Sequence, residues 1–536
     1  MNLHFLIIAL TACGSILLSA ASPNSTNPPN IIYILSDDQG YGDVGVFWQN
    51  QRAAQADRSR PLFATPQLDK MARAGVMMTQ HYVGAPVCAP ARASLLTGLT
   101  QGHANVRDNQ FDQALADTHT LATVLREAGY ATAAVGKWGL QGANPEDAES
   151  TSETWSAHPT KRGFDDYFGY VRHEDGHSHY PKENEIQLWE NDAEISELFD
   201  RCYSTDLFTA RAKKWIVDHS TSQPEQPFFL FLAYDTPHFK LQNPPCAYPA
   251  WGGIDGGVQW MGEPHAMINT ATGSVDDWMH PDFEAATWDH DRDPDTAERP
   301  WPDSQKRYAN SVRRIDDSVG DVLQLLRDLN LDDNTLVVFT SDNGPTDENY
   351  RQKARDVSFF QSYGPFDRTK RDVWEGGLRM PTIAYWPSVF PAGRVDHQPS
   401  GQWDWLATFS ELAGLAVPPV TDGVSLTPNL TGQGEREPGV LYFEYFSRGK
   451  TPKYRDYLSS RRGRKRGQMQ AIHHAGYKGV RYDVQSADDD FEIYDLLRDP
   501  GETQNLAAGD ALAKVQAEMK ARVLQVRLPD PAAPRP

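Results

Sequence analysis

Cysteine is scarce in this sequence, with only four residues in a chain of 536. So low a content excludes a fold that depends on a dense disulfide framework. Cys13 lies in an N-terminal apolar stretch, and loss of that stretch would leave Cys88, Cys202 and Cys246. A disulfide between Cys202 and Cys246 would leave Cys88 as the single unpaired thiol, and the sequence alone does not determine whether those two cysteines are bonded.

Basic residues are also in short supply. The chain has 51 Lys and Arg against 72 Asp and Glu, which gives a formal net charge of −21. Nucleic-acid binding depends on neutralising phosphates with Lys and Arg, so this charge argues against a nucleic-acid partner. An acidic surface is consistent with an exported soluble protein, whereas an extended anionic substrate would require a locally reversed field.

Beyond the N-terminus the sequence lacks any apolar run long enough to span a membrane. Residues 5–18 are mostly apolar and small residues follow at 19–21, so residues 1–21 are predicted to be a signal peptide. The protein is therefore expected in the periplasm or outside the cell. An alternative is a lipoprotein anchor at Cys13, which is less favoured because the apolar run continues past it to Leu18.

The chain does contain a repeated alternation of strand and helix patterns. Apolar segments at 30–35, 131–136, 227–234 and 335–340 each end in polar residues and are predicted strands. Apolar residues at helical spacing precede two of them, at 121–128 and 312–326. This alternation predicts an α/β fold with a mostly parallel central sheet flanked by helices. Ligands bind outside the carboxyl ends of such strands, so the polar strand ends are expected to converge.

A change in the strand and helix patterns along the sequence divides the mature chain into two predicted parts. Residues 22–431 form the predicted catalytic domain, including a long surface excursion at 251–299 that is expected to shape the pocket. After residue 432, short strand patterns and a closing helix at 511–526 predict a small C-terminal α+β subdomain, 432–536. The basic run at 461–466 is interpreted as a solvated loop, with contact to a polyanionic substrate as the alternative.

The most informative motif begins at Cys88. Its Cys-x-Pro-x-Arg pattern is followed by Leu96-Thr97-Gly98 and resembles the signature of the type I, formylglycine-dependent sulfatases of the alkaline phosphatase superfamily. The resemblance implies an alkaline phosphatase-like fold and oxidation of Cys88 to formylglycine by a separate formylglycine-generating enzyme. Pro90 suits a first helical turn, which would place Cys88 at a helix N-terminus that favours negative charge. Alone, the motif is also compatible with a buried structural thiol.

Two strand ends carry oxygen ligands. Asp37 and Asp38 follow the first predicted strand, and Asp342 and Asn343 follow the last. Such an all-oxygen set suits Ca²⁺ or Mg²⁺ better than zinc, although a single acidic pair is often a solvated turn or a helix cap. The resemblance implies Ca²⁺, bound by these four residues and by an oxygen of the modified Cys88.

Four further residues match catalytic positions of that family. Arg92 follows Cys88 by four residues and falls on nearly the same helix face. Lys137 lies in Gly-Lys-Trp, His238 in Thr-Pro-His, and Lys370 precedes Glu-Gly-Gly. The resemblance implies that Arg92, Lys137 and Lys370 balance charge on a sulfuryl group, and that His238 or Lys370 protonates the leaving alcohol. Taken singly, each would be an ordinary solvated or loop residue.

The chain departs from the family pattern at Gly139. Many relatives have a histidine there, which is credited with helping the covalent intermediate break down. His177, in the polar segment 175–181, is the weaker candidate that the sequence offers to take over this role, and it is assigned to substrate binding. The alternative is a solvated polar loop.

The expected activity is hydrolysis of a sulfated carbohydrate or an aryl sulfate. The sequence leaves two alternatives to a sulfatase open. A phosphatase or phosphodiesterase would share the metal and the strand-end acids, but would ordinarily use Ser or Thr in place of Cys88. A carbohydrate-binding protein would need no nucleophile.

Overall fold

The computed structural model describes residues 28–109, 112–142, 154–181, 186–347, 349–350, 353–455 and 457–528. The predicted signal peptide, the Cys13 alternative and the chain end lie outside these residues. In chain order the strands are β1 Asn30–Ser36, β2 Val76–Tyr82, β3 Ala131–Lys137, β4 Asp166–Tyr170, β5 Trp189–Glu190, β6 Ala193–Glu194, β7 Phe228–Ala233, β8 Trp260–Glu263, β9 Ala266–Ile268, β10 Thr287–Trp288, β11 Arg299–Pro300, β12 Thr335–Ser341, β13 Asn349–Tyr350, β14 Lys353–Ala354, β15 Arg379–Tyr385, β16 Arg394–Asp396, β17 Ser400–Gly401, β18 Tyr442–Lys450, β19 Lys465–His474, β20 Tyr477–Arg481 and β21 Glu492–Tyr494.

The helices are α1 Asn50–Ala53, α2 Pro66–Ala74, α3 Cys88–Thr97, α4 Leu121–Glu127, α5 Ser204–Ser222, α6 Pro281–Glu284, α7 Asp303–Asp328, α8 Glu375–Leu378, α9 Asp404–Leu412, α10 Thr427–Thr431 and α11 Ala513–Val526. Both predicted helical stripes are helices, α4 and α7. The four predicted apolar strands are β1, β3, β7 and β12. Gly129 follows α4 with φ +87°, a conformation that suits a glycine after a helix end.

An eleven-stranded sheet forms the centre of the molecule, in the order β16-β2-β15-β12-β1-β7-β3-β4-β5-β6, with β17 also paired to β2. Strands β12, β1, β7, β3 and β4 are parallel to one another. Antiparallel pairs join β15 to both β12 and β2, and join β4, β5 and β6 in sequence. The predicted parallel sheet is thus confirmed for the central strands, and antiparallel strands extend it on both sides.

Helices cover both faces of this sheet, because alternate residues of each strand point to opposite sides. Ile32 and Ile34 pack into a core with residues of α2, α5 and α7. Ile31, Tyr33 and Leu35 pack into a second core with residues of α3, α4 and α9. Burial on both faces explains why the central strands are continuous apolar runs and why their polar residues are confined to the ends.

The C-terminal region forms a separate antiparallel sheet, β18-β19-β20-β21, against which α11 packs. The boundary at residue 432 remains a prediction. The interpretation of 461–466 as a solvated loop is wrong for the first and last cations of the run: Arg461 and Arg466 are buried and form ion pairs with Asp367 and Asp372, respectively.

Cys88, Cys202 and Cys246 are all free thiols, so Cys202 and Cys246 are not bonded to each other.

Within the described ranges, no helix combines the length and the apolar character that a membrane crossing requires.

Candidate active site

The carboxyl ends of β1 and β12 bring the predicted acidic residues together. The two strands are in parallel register to their last residues, with Ser36 opposite Ser341. The Asp342 N–H donates to the Ser36 carbonyl at 3.1 Å, and the Asp38 N–H donates to Asp342 Oδ1 at 3.1 Å. Asp37, Asp38, Asp342 and Asn343 are each fully buried. They are therefore neither solvated turns nor surface caps.

Cys88 faces this cluster as the first residue of α3. Its Sγ lies within 4.8 Å of carboxylate oxygens of both Asp37 and Asp342. Arg92, one helical turn later, points to the same place. Its Nε and Nη2 lie 3.0 and 2.9 Å from Asp342 Oδ2, and Nη2 lies 3.5 Å from Asp37 Oδ2. The predicted placement of Cys88 at a helix start is confirmed.

Two lysines complete opposite sides of the cluster. Lys137, the last residue of β3, places Nζ 2.5 Å from Asp37 Oδ2, and its carbonyl accepts a hydrogen bond from Arg92 Nη1 at 2.8 Å. Lys370 lies in the segment between β14 and α8. Its Nζ lies 2.8 and 2.9 Å from the two carboxylate oxygens of Asp38. Three cations thus face three carboxylates in a volume closed to solvent.

Three histidines line the same region. His238 Nε2 lies 3.2 Å from Lys370 Nζ and 3.4 Å from Asp38 Oδ2. The His177 ring stacks on the His238 ring, with centroids 4.6 Å apart and planes 9° apart. His173, which the sequence analysis did not single out, places Nε2 3.9 Å from Cys88 Sγ. The structure therefore brings every predicted site residue into one cluster and adds His173.

The position of His173 beside Cys88 was not predicted from the sequence, and the reason lies in strand pairing. It follows β4, a strand that was not predicted, and its nearness to Cys88 depends on the pairing of β4 with β3. Recognition of the strand pattern at 166–170 would have placed a further polar strand end beside Lys137.

Burial and charge shift the pKa values of this cluster in different directions. Burial disfavours the charged form of Asp37, but Lys137, His238 and Arg92 outweigh burial and hold its pKa well below its usual range. Burial and the Asp37 charge raise the pKa of Asp342 to about 6. Burial raises the pKa of the Cys88 thiol to about 11. An unmodified Cys88 is therefore protonated at neutral pH and a poor nucleophile.

The cluster has the properties of a hard-cation site. Asp37 Oδ1 and Asn343 Oδ1 are buried and have no hydrogen-bond partner within the described residues. A buried polar atom without a partner is costly, and a bound cation would satisfy both oxygens. Carboxylate and amide oxygens are the ligands that Ca²⁺ prefers. The residues present therefore fit a calcium ion.

Comparisons with known proteins agree with this geometry. The Sulfatase family model matches residues 29–415. The chain belongs to the sulfatase family of the alkaline phosphatase superfamily. A second family model, described as N-sulphoglucosamine sulphohydrolase, C-terminal, matches residues 362–528. The protein is thus a sulfatase, an enzyme that hydrolyses sulfate esters.

Individual sulfatases align over most of the chain. N-acetylgalactosamine-6-sulfatase of Canis lupus familiaris is 31% identical over 469 residues, which covers 82% of this chain and 72% of the relative. Arylsulfatase A of Homo sapiens is 28% identical over 539 residues, covering 96% and 90%. A solved structure, Ps i-CgsB in complex with k-i-k-neocarrahexaose, is 25% identical with a TM-score of 0.64 and covers 94% of each chain.

The fold extends beyond sulfatases. The phosphonate monoester hydrolase of Agrobacterium radiobacter superimposes with a TM-score of 0.54 at 20% identity, over 93% of this chain and 95% of that one. The shared α/β fold alone therefore does not distinguish a sulfatase from a hydrolase of phosphorus esters. The residue that bears on this distinction is Cys88, where a phosphatase would ordinarily have Ser or Thr.

Proposed function

We propose that this sulfatase uses formylglycine, formed from Cys88, and a bound Ca²⁺ to hydrolyse the sulfate ester of a sulfated carbohydrate. The observation that carries the proposal is the position of Cys88. It begins α3 within a modification signature, and its Sγ lies within 4.8 Å of carboxylate oxygens of Asp37 and Asp342, so that one ion could contact all three residues. Maturation then requires a formylglycine-generating enzyme as a partner.

Asp37, Asp38, Asp342 and Asn343 would hold the calcium ion, together with an oxygen of residue 88. A bound cation lowers the pKa of an oxygen ligand and so favours an ionised oxygen nucleophile at residue 88. The helix N-terminus at the same residue favours negative charge through its unpaired backbone N–H groups.

Arg92, Lys137 and Lys370 would neutralise the sulfuryl oxygens. All three are buried and are held by ion pairs with Asp342, Asp37 and Asp38, respectively. Because their positions are set before substrate arrives, little reorganisation is needed as charge develops in the transition state.

Protonation of the leaving alcohol is assigned to Lys370 or His238. The two side chains are neighbours, with Nζ and Nε2 3.2 Å apart, so a proton held at either atom can serve the same oxygen. His177, stacked against His238, is proposed to contact the substrate beside this position.

The substrate class is proposed from the relatives. N-acetylgalactosamine-6-sulfatases are named for a sulfated sugar, and the Ps i-CgsB structure holds a neocarrahexaose. Export through the predicted signal peptide is consistent with a sulfated polysaccharide or its oligosaccharides as the substrate outside the cytoplasm. An aryl sulfate is the simpler test substrate.

The proposal is tested by comparing hydrolysis of matched sulfate and phosphate monoesters. Protein co-expressed with a formylglycine-generating enzyme is expected to favour the sulfate ester, and Cys88→Ala is expected to lose that activity while remaining folded. Preferential hydrolysis of the phosphate ester would instead support a phosphatase on the same fold.

A further inference from the structure

The chain beyond β3 lies directly beside the chain beyond β4. The Trp138 N–H donates to the Tyr170 carbonyl at 2.9 Å, and the Gly139 N–H donates to the Val171 carbonyl at 3.0 Å. The two chain segments therefore remain hydrogen-bonded to each other past Lys137. As a result, residue 139, where this sulfatase lacks a histidine, adjoins the segment that leads into His173.

The His173 side chain fills the space that a residue 139 side chain would need. A Cβ added to Gly139 would lie 3.3 Å from His173 Nδ1 and 3.6 Å from its Cα. Gly139 also has φ +73°, which most side chains disfavour. A side chain at 139 would therefore compete with the His173 ring for space.

The His173 ring is held firmly against the nucleophile position. The residue is 3% exposed, and its Nε2 lies 3.9 Å from Cys88 Sγ. Its backbone N–H donates to Asp112 Oδ1 at 3.0 Å, and its ring meets the His177 ring edge-on at 5.1 Å. These contacts hold the residue in place, with Nε2 directed toward residue 88.

We propose that His173 is the base of the sulfate-release step and replaces, from the neighbouring strand end, the histidine absent at position 139. This inference rests on the proposed function. In that step the bond between the residue 88 carbon and the sulfate oxygen breaks, and its electron pair leaves with sulfate. The remaining hydroxyl of residue 88 becomes the aldehyde carbonyl, and its proton passes to His173 Nε2.

The other two histidines are placed for different tasks. His238 Nε2 faces Lys370 and Asp38, and its Nδ1 lies 2.9 Å from the Phe239 carbonyl oxygen. His177 stacks on His238. Of these three histidines, His173 places a ring nitrogen within hydrogen-bonding distance of Cys88 Sγ.

The test separates the two halves of the reaction in matured enzyme with a nitrophenyl sulfate. For His173→Ala we expect a rapid release of one nitrophenol per formylglycine, followed by turnover slowed by roughly 10²–10⁴-fold. Mass spectrometry should then find a sulfuryl group on the peptide that contains residue 88. His173→Gln preserves most of the side-chain volume without a basic nitrogen, and is expected to behave in the same way.

A relocation variant provides the matched control. Gly139→His combined with His173→Ala frees the space at 139 and is expected to restore sulfate release, despite the backbone strain of a non-glycine residue at φ +73°. Folding of each variant is checked by its melting curve. A folded double variant that is no faster than His173→Ala would contradict the spatial replacement.

Two results would overturn the inference while leaving the proposed function intact. One is unchanged sulfate release in both His173 variants. The other is an equal slowing of nitrophenol and sulfate release with no sulfuryl group retained on the protein. By contrast, wild-type protein with verified formylglycine and no sulfate ester hydrolysis would refute the proposed function itself.

Discussion

Arg466 of the C-terminal sheet and Asp372 of the segment that carries Lys370 form a bidentate ion pair. Arg466 Nε and Nη2 lie 3.0 and 2.9 Å from the two carboxylate oxygens of Asp372. The Tyr482 hydroxyl donates to the same carboxylate at 3.1 Å. Asp372 is two residues from Lys370, so the C-terminal sheet holds the position of a proposed catalytic lysine.

Replacement of Arg466 should therefore affect both stability and catalysis. Arg466→Met leaves the buried Asp372 carboxylate without its main partner, a change that costs about 3–5 kcal/mol in comparable buried pairs. We expect a lower free energy of unfolding in urea and, under conditions where the protein stays folded, a lower kcat as Lys370 loses its support.

Arg464 supplies the matched control, two residues earlier and just before β19. It pairs with Glu492 and both side chains are 29% exposed, so Arg464→Gln should cost only about 0–1 kcal/mol and leave kcat unchanged. Equal effects of the two substitutions would contradict the assigned role of the Arg466–Asp372 pair.

Calcium should stabilise the folded protein measurably. Asp37 Oδ1 and Asn343 Oδ1 have no hydrogen-bond partner among the described residues, so a bound ion would relieve an unfavourable arrangement. Calcium at 100 times its dissociation constant should stabilise chelator-treated protein by about 2.7 kcal/mol. Asp342→Asn is expected to weaken calcium binding in calorimetry, because one charged ligand is lost.

The control for calcium is Asp404→Asn, which removes a buried carboxylate that pairs with Arg436 outside the site. That variant should be destabilised but should keep the calcium-induced rise in melting temperature. An undiminished rise in Asp342→Asn would argue against Asp342 as a ligand.

His81 should make stability depend on pH in the acid range. Trp405 Nε1 donates to His81 Nε2 at 3.2 Å, which requires an unprotonated ring nitrogen, and burial lowers the pKa of His81 to about 3. Its ordinary value is 6.5. Between these values the unfolded chain binds a proton that the folded chain does not, so stability falls as pH decreases from about 6.5 toward 3.

Urea unfolding of wild type and His81→Gln at several pH values measures this contribution. The wild type should lose up to about 1.4 kcal/mol more per pH unit than the variant over this range. Above pH 7.5 the two should show parallel pH dependence. Parallel curves between pH 4 and 6 as well would show that His81 is not held neutral.

The sequence sufficed for the part of the fold that is locally encoded. Continuous apolar runs with polar ends identified β1, β3, β7 and β12, because strands buried on both faces need apolar side chains throughout. The Cys88 motif and the acidic pairs after β1 and β12 identified most of the site, since the ends of parallel strands meet at one edge.

What the sequence did not reveal depends on contacts between distant segments. His173 reaches Cys88 only through the pairing of β3 with β4, and the strand pattern at 166–170 does not by itself specify that pairing. Arg466 was predicted to be solvated as part of the basic run 461–466, but it forms an ion pair with Asp372, which lies 94 residues earlier in the chain. A charge run gives the same pattern whether its partners are water or buried carboxylates.

The central claim concerns the chemical state of residue 88. It is tested most directly by mass spectrometry of the peptide that spans Cys88, in protein prepared with increasing amounts of formylglycine-generating enzyme. The account predicts conversion of the thiol to an aldehyde, with sulfate ester hydrolysis rising in proportion to the converted fraction. Full activity in protein whose Cys88 remains an unmodified thiol would contradict it.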